Sequence, residues 1–363
     1  MSSNNKVLVA MSGGVDSSVA AVLLKEQGYD IVGITMKTWD YAASGGNRKE
    51  TGCCSLDSIN DARAVAVALD FPHYIIDIRD EFGTFVIDNF VEEYMAGRTP
   101  NPCVLCNTHI KWTALLKRAD QLGCDFIATG HYARVRKEND RFIVSTGEDK
   151  NKDQSYALWG LSQSSLARSI FPLGSHKKID IKLKAKKLGF EELANKPESY
   201  EICFIPDNDY RGFLKRKVNG VAEKLKNGEF ILESGEVVGT HEGYPFYTIG
   251  QRKGLGVALG YPVYVSEIKS SENKVVLSPL DKLSQRSMKV GKLNFIKYPF
   301  LPDQNARLMT TIRYNDEGHY AVVTQENDTL LANFEEPVFA IAPGQSAVFY
   351  EGDDVVCGGI IER

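Results

Sequence analysis

The sequence predicts an α/β protein in which a parallel-sheet domain is followed by a small central domain and a C-terminal β-barrel. Strand and helix patterns alternate up to about residue 165, which is typical of a parallel sheet covered by helices. A glycine-rich turn separates the first strand from the first helix. From about residue 228 short strands alternate with Gly or Asn-Asp turns, which is typical of all-β domains. We expect domains at 1–208, 209–284 and 285–363.

The elements of the first domain follow from the spacing of apolar residues. Residues 6–10, KVLVA, are an apolar run that predicts a buried strand. Val15, Val19 and Val22 then recur at helical spacing, and Gly28 ends that helix. Further strands are predicted at 29–36, 72–78 and 124–135, and helices at 59–70, 80–97 and 108–123.

The second half of the chain is predicted to consist mainly of β-strands, and basic stretches lie before and between these strands. Strands are predicted within 229–239, 273–279, 306–314, 319–334 and 346–359. Residues 176–187 carry six lysines against one aspartate, and residues 210–226 carry six Lys or Arg against one Glu. Such runs are more often solvated helix faces. With GQRKGLG at 250–256, they are nevertheless the best candidates for contacting phosphates.

The amino-acid composition limits the classes of protein to which this chain could belong. A hydrophobic content of 43% with 25% charged residues is ordinary for a globular protein, and no apolar run reaches the ~20 residues that span a bilayer. The first residues, MSSNNKVLVAMSGG, lack the basic segment and cleavage site of a secretory signal, so we expect a cytoplasmic protein with no membrane partner. The net charge of −4 argues against a general nucleic-acid coat protein but allows a local basic face.

Residues 12–18, SGGVDSS, lie between a strand and a helix, where phosphates commonly bind. Gly13 and Gly14 let the backbone approach an anion, and the helix N-terminus offers free N–H groups and a partial positive charge. The string is neither a Walker A loop nor the spaced dinucleotide fingerprint. An ordinary strand-to-helix turn is the plain alternative, but Asp16 and the serines after it favour phosphate binding.

This string resembles the motif of the PP-loop ATP pyrophosphatases, which have an adenine nucleotide alpha hydrolase-like fold. The resemblance implies that ATP is cleaved between its α and β phosphates, that AMP is transferred to a carbonyl oxygen, and that the loop holds the departing pyrophosphate. It also implies Mg²⁺, with Asp16 either holding the metal or ordering the loop. The implied ATP-binding residues lie at strand ends. They are Ala10, Met11, Ser12, Gly13, Gly14, Val15, Asp16, Ser17, Met36 and Gly130.

Seven cysteines, an odd number, are more plausibly buried, catalytic or metal-binding than disulfide-bonded in an intracellular chain. In TPNPCVLCN, residues 99–107, Pro100 and Pro102 predict an extended segment, because the residue before a proline avoids the helical conformation. Cys106 would then precede a helix, whose N-terminus lowers the pKa of a thiol. Cys203 lies in EICFIP, which predicts a short apolar strand and, taken alone, favours a buried core cysteine.

A series of motifs extends the resemblance over nearly the whole chain: SGGVDSS, GRTPNPCVLCN, FIATGHYARV, KDQSYAL, EICFIP, TIGQRKGLG and APGQSAVFYEGDDVVCGGIIE. This series resembles the bacterial tRNA-specific 2-thiouridylases. The resemblance implies adenylation of O2 of the wobble uridine, position 34, in a tRNA anticodon loop, and then replacement of that oxygen by sulfur. It implies Cys106 as the catalytic cysteine and Cys203 as the persulfide carrier, able to form a disulfide during turnover. A cysteine desulfurase or a sulfur-carrier protein would donate the persulfide.

The resemblance also assigns residues to the RNA, whose target base must be splayed out of its loop. The implied target-base residues are Asn101, Pro102 and Cys103, and the implied tRNA contacts are His131, Lys152, Asp153, Gln154, Arg313, Tyr314 and Gln345. Without the resemblance, KDQS would be interpreted as a polar loop and His131 as a satisfied strand-end histidine.

Cys103 departs from the family pattern, because other members carry Asp at this position, where it could act as an acid or base. Cys103, Cys106 and Cys203 could instead hold three irons of a [4Fe–4S] cluster, although that is one ligand short of the usual four. A structural zinc site would need a fourth ligand as well. We favour the persulfide route over the cluster. Of the other cysteines, Cys53 and Cys54 are expected in a loop or cap and Cys124 and Cys357 in the core.

Two rival functions remain open at this point. A PP-loop ligase acting on a small metabolite would release pyrophosphate without tRNA and would tolerate loss of Cys106 and Cys203. A non-catalytic tRNA-binding protein with a vestigial loop would tolerate loss of Asp16, and the intact SGGVDSS string argues against it.

Overall fold

The computed structural model describes residues 5–39, 55–196 and 202–362; Cys53 and Cys54 lie outside the described residues. The chain divides into two compact units. The first holds Met1–Phe85, Cys103–Asn208 and Asp353–Val355, and the second holds Val86–Pro102, Asp209–Gly352 and Val356–Arg363. Among the described residues, no helix is long and apolar enough to cross a membrane.

The first unit is built on a five-stranded parallel sheet in the order β3-β2-β1-β4-β7. Its strands are β1 (Lys6–Ala10), β2 (Asp30–Lys37), β3 (His73–Asp77), β4 (Phe126–Ala128) and β7 (Ser169–Ile170). Its helices are α1 (Val15–Glu26), α2 (Leu56–Ala68), α3 (Arg79–Phe82), α5 (Pro102–Leu105), α6 (Trp112–Leu122), α7 (Gln163–Leu166), α8 (Lys178–Lys187) and α9 (Glu191–Asn195), with a 3₁₀ turn at Ser155–Leu158. The predicted parallel sheet is thereby confirmed.

Strand β1 is central because it is apolar on both faces. Val7 and Val9 pack with Ala21 and Leu24 of α1, and Leu8, which points to the opposite face, is equally buried. A continuous apolar run of this kind is the pattern of a parallel strand covered on both sides. The loops that leave the carboxyl ends of β1 and β4 carry the SGGVDSS and ATGHY motifs.

The strand predicted at 124–135 is in fact two strands. Residues 126–128 form β4, and β5 (Ala133–Glu138) pairs antiparallel with β6 (Arg141–Thr146). The chain leaves the sheet at Gly130, where a Cβ would lie only 3.0 Å from the carbonyl carbon of Asp16. Close approach to the loop after β1 therefore interrupts the strand.

The predicted helix at 108–123 begins earlier than expected. Helix α5 starts at Pro102 and continues through a π-helical stretch, Cys106–Lys111, into α6. Pro102 can occupy a first helical turn, because the N–H group it lacks would have no intrahelical partner there. The prediction of an extended 99–107 segment was therefore wrong from Pro102 onward.

The second unit contains two β structures. Strands β8 (Gly228–Leu232), β9 (Val237–His241), β10 (Tyr264–Lys269) and β11 (Lys274–Ser278) form a sheet in the order β10-β11-β8-β9. The sheet order β12-β15-β14-β13-β16-β17 is closed by a β12–β17 pairing, which makes a six-stranded barrel. The barrel strands are β12 (Ser284–Phe295), β13 (Ala306–Thr311), β14 (His319–Glu326), β15 (Thr329–Phe339), β16 (Ser346–Glu351) and β17 (Asp354–Ile361).

Helical segments complete this unit. They are α4 (Asp88–Met95), which follows the π-helical Gly83–Ile87, then α10 (Tyr210–Lys217) and α11 (Val221–Leu225), with 3₁₀ turns at Tyr244–Phe246, Ser270–Glu272 and Leu280–Leu283. Aromatic rings hold α4 on α10: Phe90 meets Phe213 edge-on with centroids 5.9 Å apart, and Tyr94 stacks on Tyr210 at 4.9 Å. Residues 86–102 therefore belong with the second unit.

Candidate active site

The loop between β1 and α1 is held by its own serines. Ser17 Oγ accepts a hydrogen bond from the Ser12 backbone N–H at 3.1 Å and donates to the Gly14 carbonyl at 3.1 Å. Ser18 Oγ donates to the same carbonyl at 2.9 Å. Gly14 is the N-cap of α1 and has no side chain to cap the first N–H groups, which lack intrahelical partners. These groups are thus available to an anion.

Two glycines let the backbone pack tightly around this loop. Gly13 has a φ of +70°, and a Cβ there would lie 2.0 Å from the carbonyl oxygen of Ser58 at the start of α2. Gly130 approaches the loop from the end of β4, and a Cβ there would lie 3.0 Å from the Ser17 backbone nitrogen. Glycine is therefore required by sterics at position 13, whereas at position 130 a Cβ would push the anion-binding backbone by a few tenths of an ångström.

The Asp16 carboxylate is held by a buried lysine and a tyrosine. Lys178 Nζ lies 2.7 and 2.6 Å from the two carboxylate oxygens, and the Tyr132 hydroxyl donates to Oδ1 at 2.8 Å. Lys178 is only 7% exposed, and its backbone N–H donates to Asp149 Oδ2 at 2.9 Å at the start of α8. The ion pair thereby ties the first turn of α1 to α8.

These contacts bear on whether the Asp16 carboxylate can serve as a ligand of Mg²⁺. Both carboxylate oxygens are already within hydrogen-bond distance of the Lys178 ammonium, and an ammonium at that position would repel a divalent cation. The arrangement does not fit direct coordination of Mg²⁺ by Asp16. It favours the loop-ordering role that the sequence left open.

Cys103 and Cys106 lie one turn apart on the helical segment that begins at Pro102. Cys106 is buried, whereas Cys103 reaches solvent. Partial desolvation raises the pKa of the Cys103 thiol, and the charge of Lys111 opposes this shift. Cys106 lies inside the helical segment rather than before it, so it does not occupy the helix N-terminus at which the sequence placed it.

Cys203 does not lie in a strand as predicted. It is half-buried in a turn, and the two residues that follow it, Phe204 and Ile205, are buried. The ring of Phe204 packs edge-on against Phe82 at 5.8 Å and anchors this turn to the first unit. Strand pairing is absent there because the apolar side chains of this short segment insert into the core instead.

The three cysteines do not form a metal site in this arrangement. Across the described part of the chain, which includes all three, no group of three or more His, Cys, Asp or Glu side chains converges to hold a metal ion. The residues therefore do not fit the [4Fe–4S] ligand set. The two cysteines expected in the core, Cys124 and Cys357, are buried.

His131 is neutral near physiological pH. Burial lowers its pKa to about 3, with a further contribution from the charge of Lys111. Its Nδ1 lies 2.7 Å from Thr129 Oγ1, and its ring packs beside Trp112 and Phe171 with centroids 5.8 and 6.1 Å away. A neutral imidazole cannot form an ion pair with RNA phosphate, so any RNA contact would be a neutral hydrogen bond or stacking.

The low pKa of His131 predicts acid sensitivity. The unfolded chain, with a histidine pKa near 6.5, binds more protons than the folded chain between about pH 6.5 and 3, so folding stability falls as pH falls through that range. We expect the urea midpoint to drop less between pH 7 and pH 4.5 in His131→Gln than in wild type. His241, whose pKa burial lowers to about 4, contributes independently and serves as the comparison variant. An unchanged slope in His131→Gln would contradict the assignment.

Residues 152–154 are mainly engaged within the first unit. Asp153 accepts hydrogen bonds from the Gly147 backbone N–H at 2.8 Å and the Ser155 hydroxyl at 2.7 Å, while burial raises its pKa. Gln154 Oε1 accepts from the Tyr132 backbone N–H at 3.0 Å. These two side chains shape their loop, and contact of Lys152, Asp153 and Gln154 with RNA stays a prediction.

Three predicted tRNA-contacting residues lie in the second unit. Arg313 and Tyr314 follow β13 and are exposed, as RNA contacts require. Gln345 instead donates from its Nε2 to the backbone carbonyls of Thr99 and Pro100, at 3.1 and 2.9 Å. The ATP loop and the cysteines Cys103 and Cys106 therefore lie in the first unit, whereas Arg313, Tyr314 and Gln345 lie in the second.

Sequence reasoning missed Lys178, Tyr132 and Lys111. Lys178 lies within the stretch that was interpreted as a phosphate track, and its only distinguishing sign is that apolar Ile181 and Ala185 follow it on the buried side of α8. Tyr132 follows His131 in ATGHY, and Lys111 lies in CNTHIK, five residues after Cys106. Their partners are distant in sequence, so no local pattern marks them.

Comparison with known proteins covers the chain from end to end. Residues 5–207 match the family model described as tRNA methyl transferase HUP domain, 212–279 the tRNA methyl transferase PRC-barrel domain, and 285–361 the aminomethyltransferase beta-barrel domain. The tRNA-specific 2-thiouridylase of Amoebophilus asiaticus is 65% identical over 357 residues, covering 98% of this chain and 95% of that protein. The chain belongs to the tRNA-specific 2-thiouridylase family. The resemblance stated from the motifs is thereby confirmed.

Two further 2-thiouridylases extend this finding. The protein of Cytophaga hutchinsonii is 62% identical and covers 100% of this chain and 98% of its own length, and that of Salinibacter ruber is 58% identical with 100% and 96% covered. The matching family models are described by methyl transfer, whereas these full-length relatives are described by thiolation. The relatives carry more weight, because their sequence identity extends over the whole chain. The predicted fold class is confirmed as well.

Proposed function

We propose that this chain is an ATP-dependent tRNA-uridine 2-sulfurtransferase. The observation that carries the proposal is the Ser-Gly-Gly loop, whose glycines expose the N-terminus of α1 to an anion at the carboxyl edge of the parallel sheet. Relatives that match this chain over 95% and 98% of their own length are named tRNA-specific 2-thiouridylases. The substrate would be the wobble uridine at position 34 of an anticodon loop.

The first half-reaction would activate the uracil. Its O2 attacks the α phosphorus of ATP, the bond to the β-phosphate oxygen breaks, and pyrophosphate leaves. The N3 proton of the uracil passes to solvent in this step and returns from solvent when the thione forms. The N–H groups at the start of α1 would stabilise the charge of the pyrophosphate. Lys178 and Tyr132 keep the carboxylate of Asp16 in a fixed place, so the loop is organised before the nucleotide binds.

The second half-reaction would transfer sulfur. The terminal sulfur of a persulfide on Cys203 attacks C2, and AMP leaves with the former O2. The Cys106 thiolate then attacks the Cys203 sulfur, which forms a Cys106–Cys203 disulfide and releases the 2-thiouridine. Two electrons from an external thiol reductant must then restore the thiols, and a cysteine desulfurase or sulfur-carrier protein would reload the persulfide.

We also propose the predicted domain bounds of 1–208, 209–284 and 285–363. The family-model matches, which break between 207 and 212 and between 279 and 285, support them. In this division the first domain carries adenylation and sulfur transfer, and the exposed Arg313 and Tyr314 of the barrel would contact tRNA.

One assay tests the proposal against its rivals. Purified enzyme is incubated with ATP, a persulfide donor and unmodified tRNA, while released pyrophosphate and digested nucleosides are measured. We expect pyrophosphate release to depend on tRNA and to be matched by 2-thiouridine. Pyrophosphate without tRNA, and without need of Cys106 or Cys203, would indicate a small-metabolite ligase. Full biological activity of Asp16→Ala would indicate a non-catalytic binding protein.

The sulfur source is tested by iron content and by Cys103→Asp. We expect anaerobically purified, iron-free enzyme to thiolate tRNA fully from a persulfide donor, because the three cysteines do not converge as a ligand set. Cys103→Asp, which restores the family residue, should retain that activity. Activity that rises with bound iron and acid-labile sulfide, and that Cys103→Asp abolishes, would overturn the persulfide route.

A further inference from the structure

A short strap, defined as residues 97–100, leads directly into Asn101 and Pro102. Gln345 fixes its end by donating from one amide nitrogen to the Thr99 and Pro100 carbonyls, at 3.1 and 2.9 Å. The Thr99 N–H in turn donates to the Pro343 carbonyl at 2.9 Å. Three hydrogen bonds therefore join two successive strap residues to the turn between β15 and β16.

The turn between β15 and β16 leaves room for the backbone of the strap. Gly344 has a φ of +91°, and a Cβ there would lie 2.9 Å from the Thr99 carbonyl oxygen and 3.0 Å from the Arg98 Cβ. Only glycine leaves room for the strap backbone at this distance. Gln345 is held at both backbone groups, since its N–H donates to the Ala342 carbonyl and its carbonyl accepts from the Ile361 N–H.

The start of the strap is anchored as well. The Tyr244 hydroxyl donates to the Met95 carbonyl at 2.6 Å, and Gly97, at a φ of +75°, packs against Ile268 of β10. Arg98 forms a bidentate ion pair with Glu93 at 2.5 and 2.7 Å. The strap is thus fixed at both ends within the second unit, before any RNA is bound.

We propose that Gln345 is a positioning residue, which sets the place of Asn101 and Pro102 through the strap rather than by donating hydrogen bonds to tRNA. An amide NH₂ has two donor hydrogens, and both already have carbonyl partners in the strap. A direct contact from these donors to RNA would break those bonds and leave two backbone carbonyls without them. The functional part of this inference rests on the proposed thiolation, with Asn101 and Pro102 lining the target base.

The test compares Gln345→Glu with Gln345→Ala in tRNA-free enzyme. A carboxylate has the shape of the amide but donates no hydrogen, so it cannot bond either carbonyl. Two readouts report on the strap: hydrogen exchange of the Thr99 amide and tryptic cleavage after Arg98. Gln325→Glu is the matched control, because Gln325 is another barrel glutamine whose amide holds a different loop, through Leu301 and Asn327.

We expect both readouts to be about tenfold faster in the two Gln345 variants, as the loss of two hydrogen bonds implies, and unchanged in Gln325→Glu. Gly344→Ala should do the same while leaving the glutamine side chain in place. At saturating tRNA the thiolation kcat should fall in these variants, while the Kd for tRNA stays within about twofold, since binding is not what Gln345 supplies.

The proposal would be overturned if hydrogen exchange of the Thr99 amide and cleavage after Arg98 were unchanged in the Gln345 variants. If these variants also bound tRNA more weakly, Gln345 would be assigned to RNA contact. A loosened strap with unchanged kcat would overturn the positioning role. If the wild-type enzyme fails to thiolate tRNA, the proposed function fails, and the exchange and cleavage readouts still decide separately whether Gln345 holds the strap.

Discussion

Lys178→Met is expected to lower tRNA-dependent pyrophosphate release by about 10²-fold. The change leaves the Asp16 carboxylate with Tyr132 alone, and removing one partner of a buried ion pair commonly costs about 3–5 kcal/mol. We lower that figure to about 2–3 kcal/mol, because the Asp16 side chain is 34% exposed and water screens part of the charge. The measurement is pyrophosphate release against ATP concentration, together with the melting temperature.

The matched control for this variant is Lys184→Met on the same helix. Lys184 pairs with Glu26 at 2.8 Å on the surface, and exposed pairs of this kind contribute little. We expect Lys184→Met to behave like wild type. The double variant Asp16→Asn with Lys178→Met should regain stability relative to Lys178→Met, because it removes the unpaired charge.

Two outcomes would contradict the role of Lys178. One is a rate for Lys178→Met as high as that of Lys184→Met. The other is a half-saturating Mg²⁺ concentration that falls in Lys178→Met, because that would mean the freed Asp16 carboxylate binds the metal directly. An unaltered Mg²⁺ requirement agrees with a carboxylate that orders the loop.

Cys106→Ser and Cys203→Ser are each expected to abolish 2-thiouridine formation, by at least about 10³-fold, while pyrophosphate release with tRNA stays within a few-fold of wild type. A serine hydroxyl can form neither a persulfide nor a disulfide, whereas the adenylation loop contains no cysteine. The two assays are run on the same reaction mixtures, so that each variant reports both half-reactions.

Cys124→Ser is the control for cysteine replacement in the first unit. Cys124 is buried, as Cys106 is, and burial raises the pKa of its thiol, so it is not expected to handle sulfur. Thiolation should survive in this variant. If Cys106→Ser or Cys203→Ser thiolates at the wild-type rate, the proposed sulfur transfer is wrong. If either loses pyrophosphate release as well, the two half-reactions are not separable as proposed.

The elements of the fold follow largely from sequence, because each rests on local periodicity. The apolar run at 6–10, the helix that ends before Gly28 and the barrel strands β13 to β17 appear where the pattern predicts them, whereas the barrel strand β12 was not predicted. The failures occur where a contact between distant residues decides. Gly130 interrupts the expected strand at 124–135 by packing on Asp16, and Cys203 lies in a turn because Phe204 inserts into the core.

The class of protein, the phosphate loop and the cysteine motifs could be predicted from the amino-acid sequence, since each is a set of residue types in a fixed local order. The contacts that these side chains make became visible only in the folded chain. In the folded chain, Lys178 pairs with Asp16, and Cys106 lies inside a helix. The side-chain amide of Gln345 donates a hydrogen bond to a strap carbonyl. Partners such as these are brought together by packing, and their separation along the chain leaves no periodic signal from which they could be predicted.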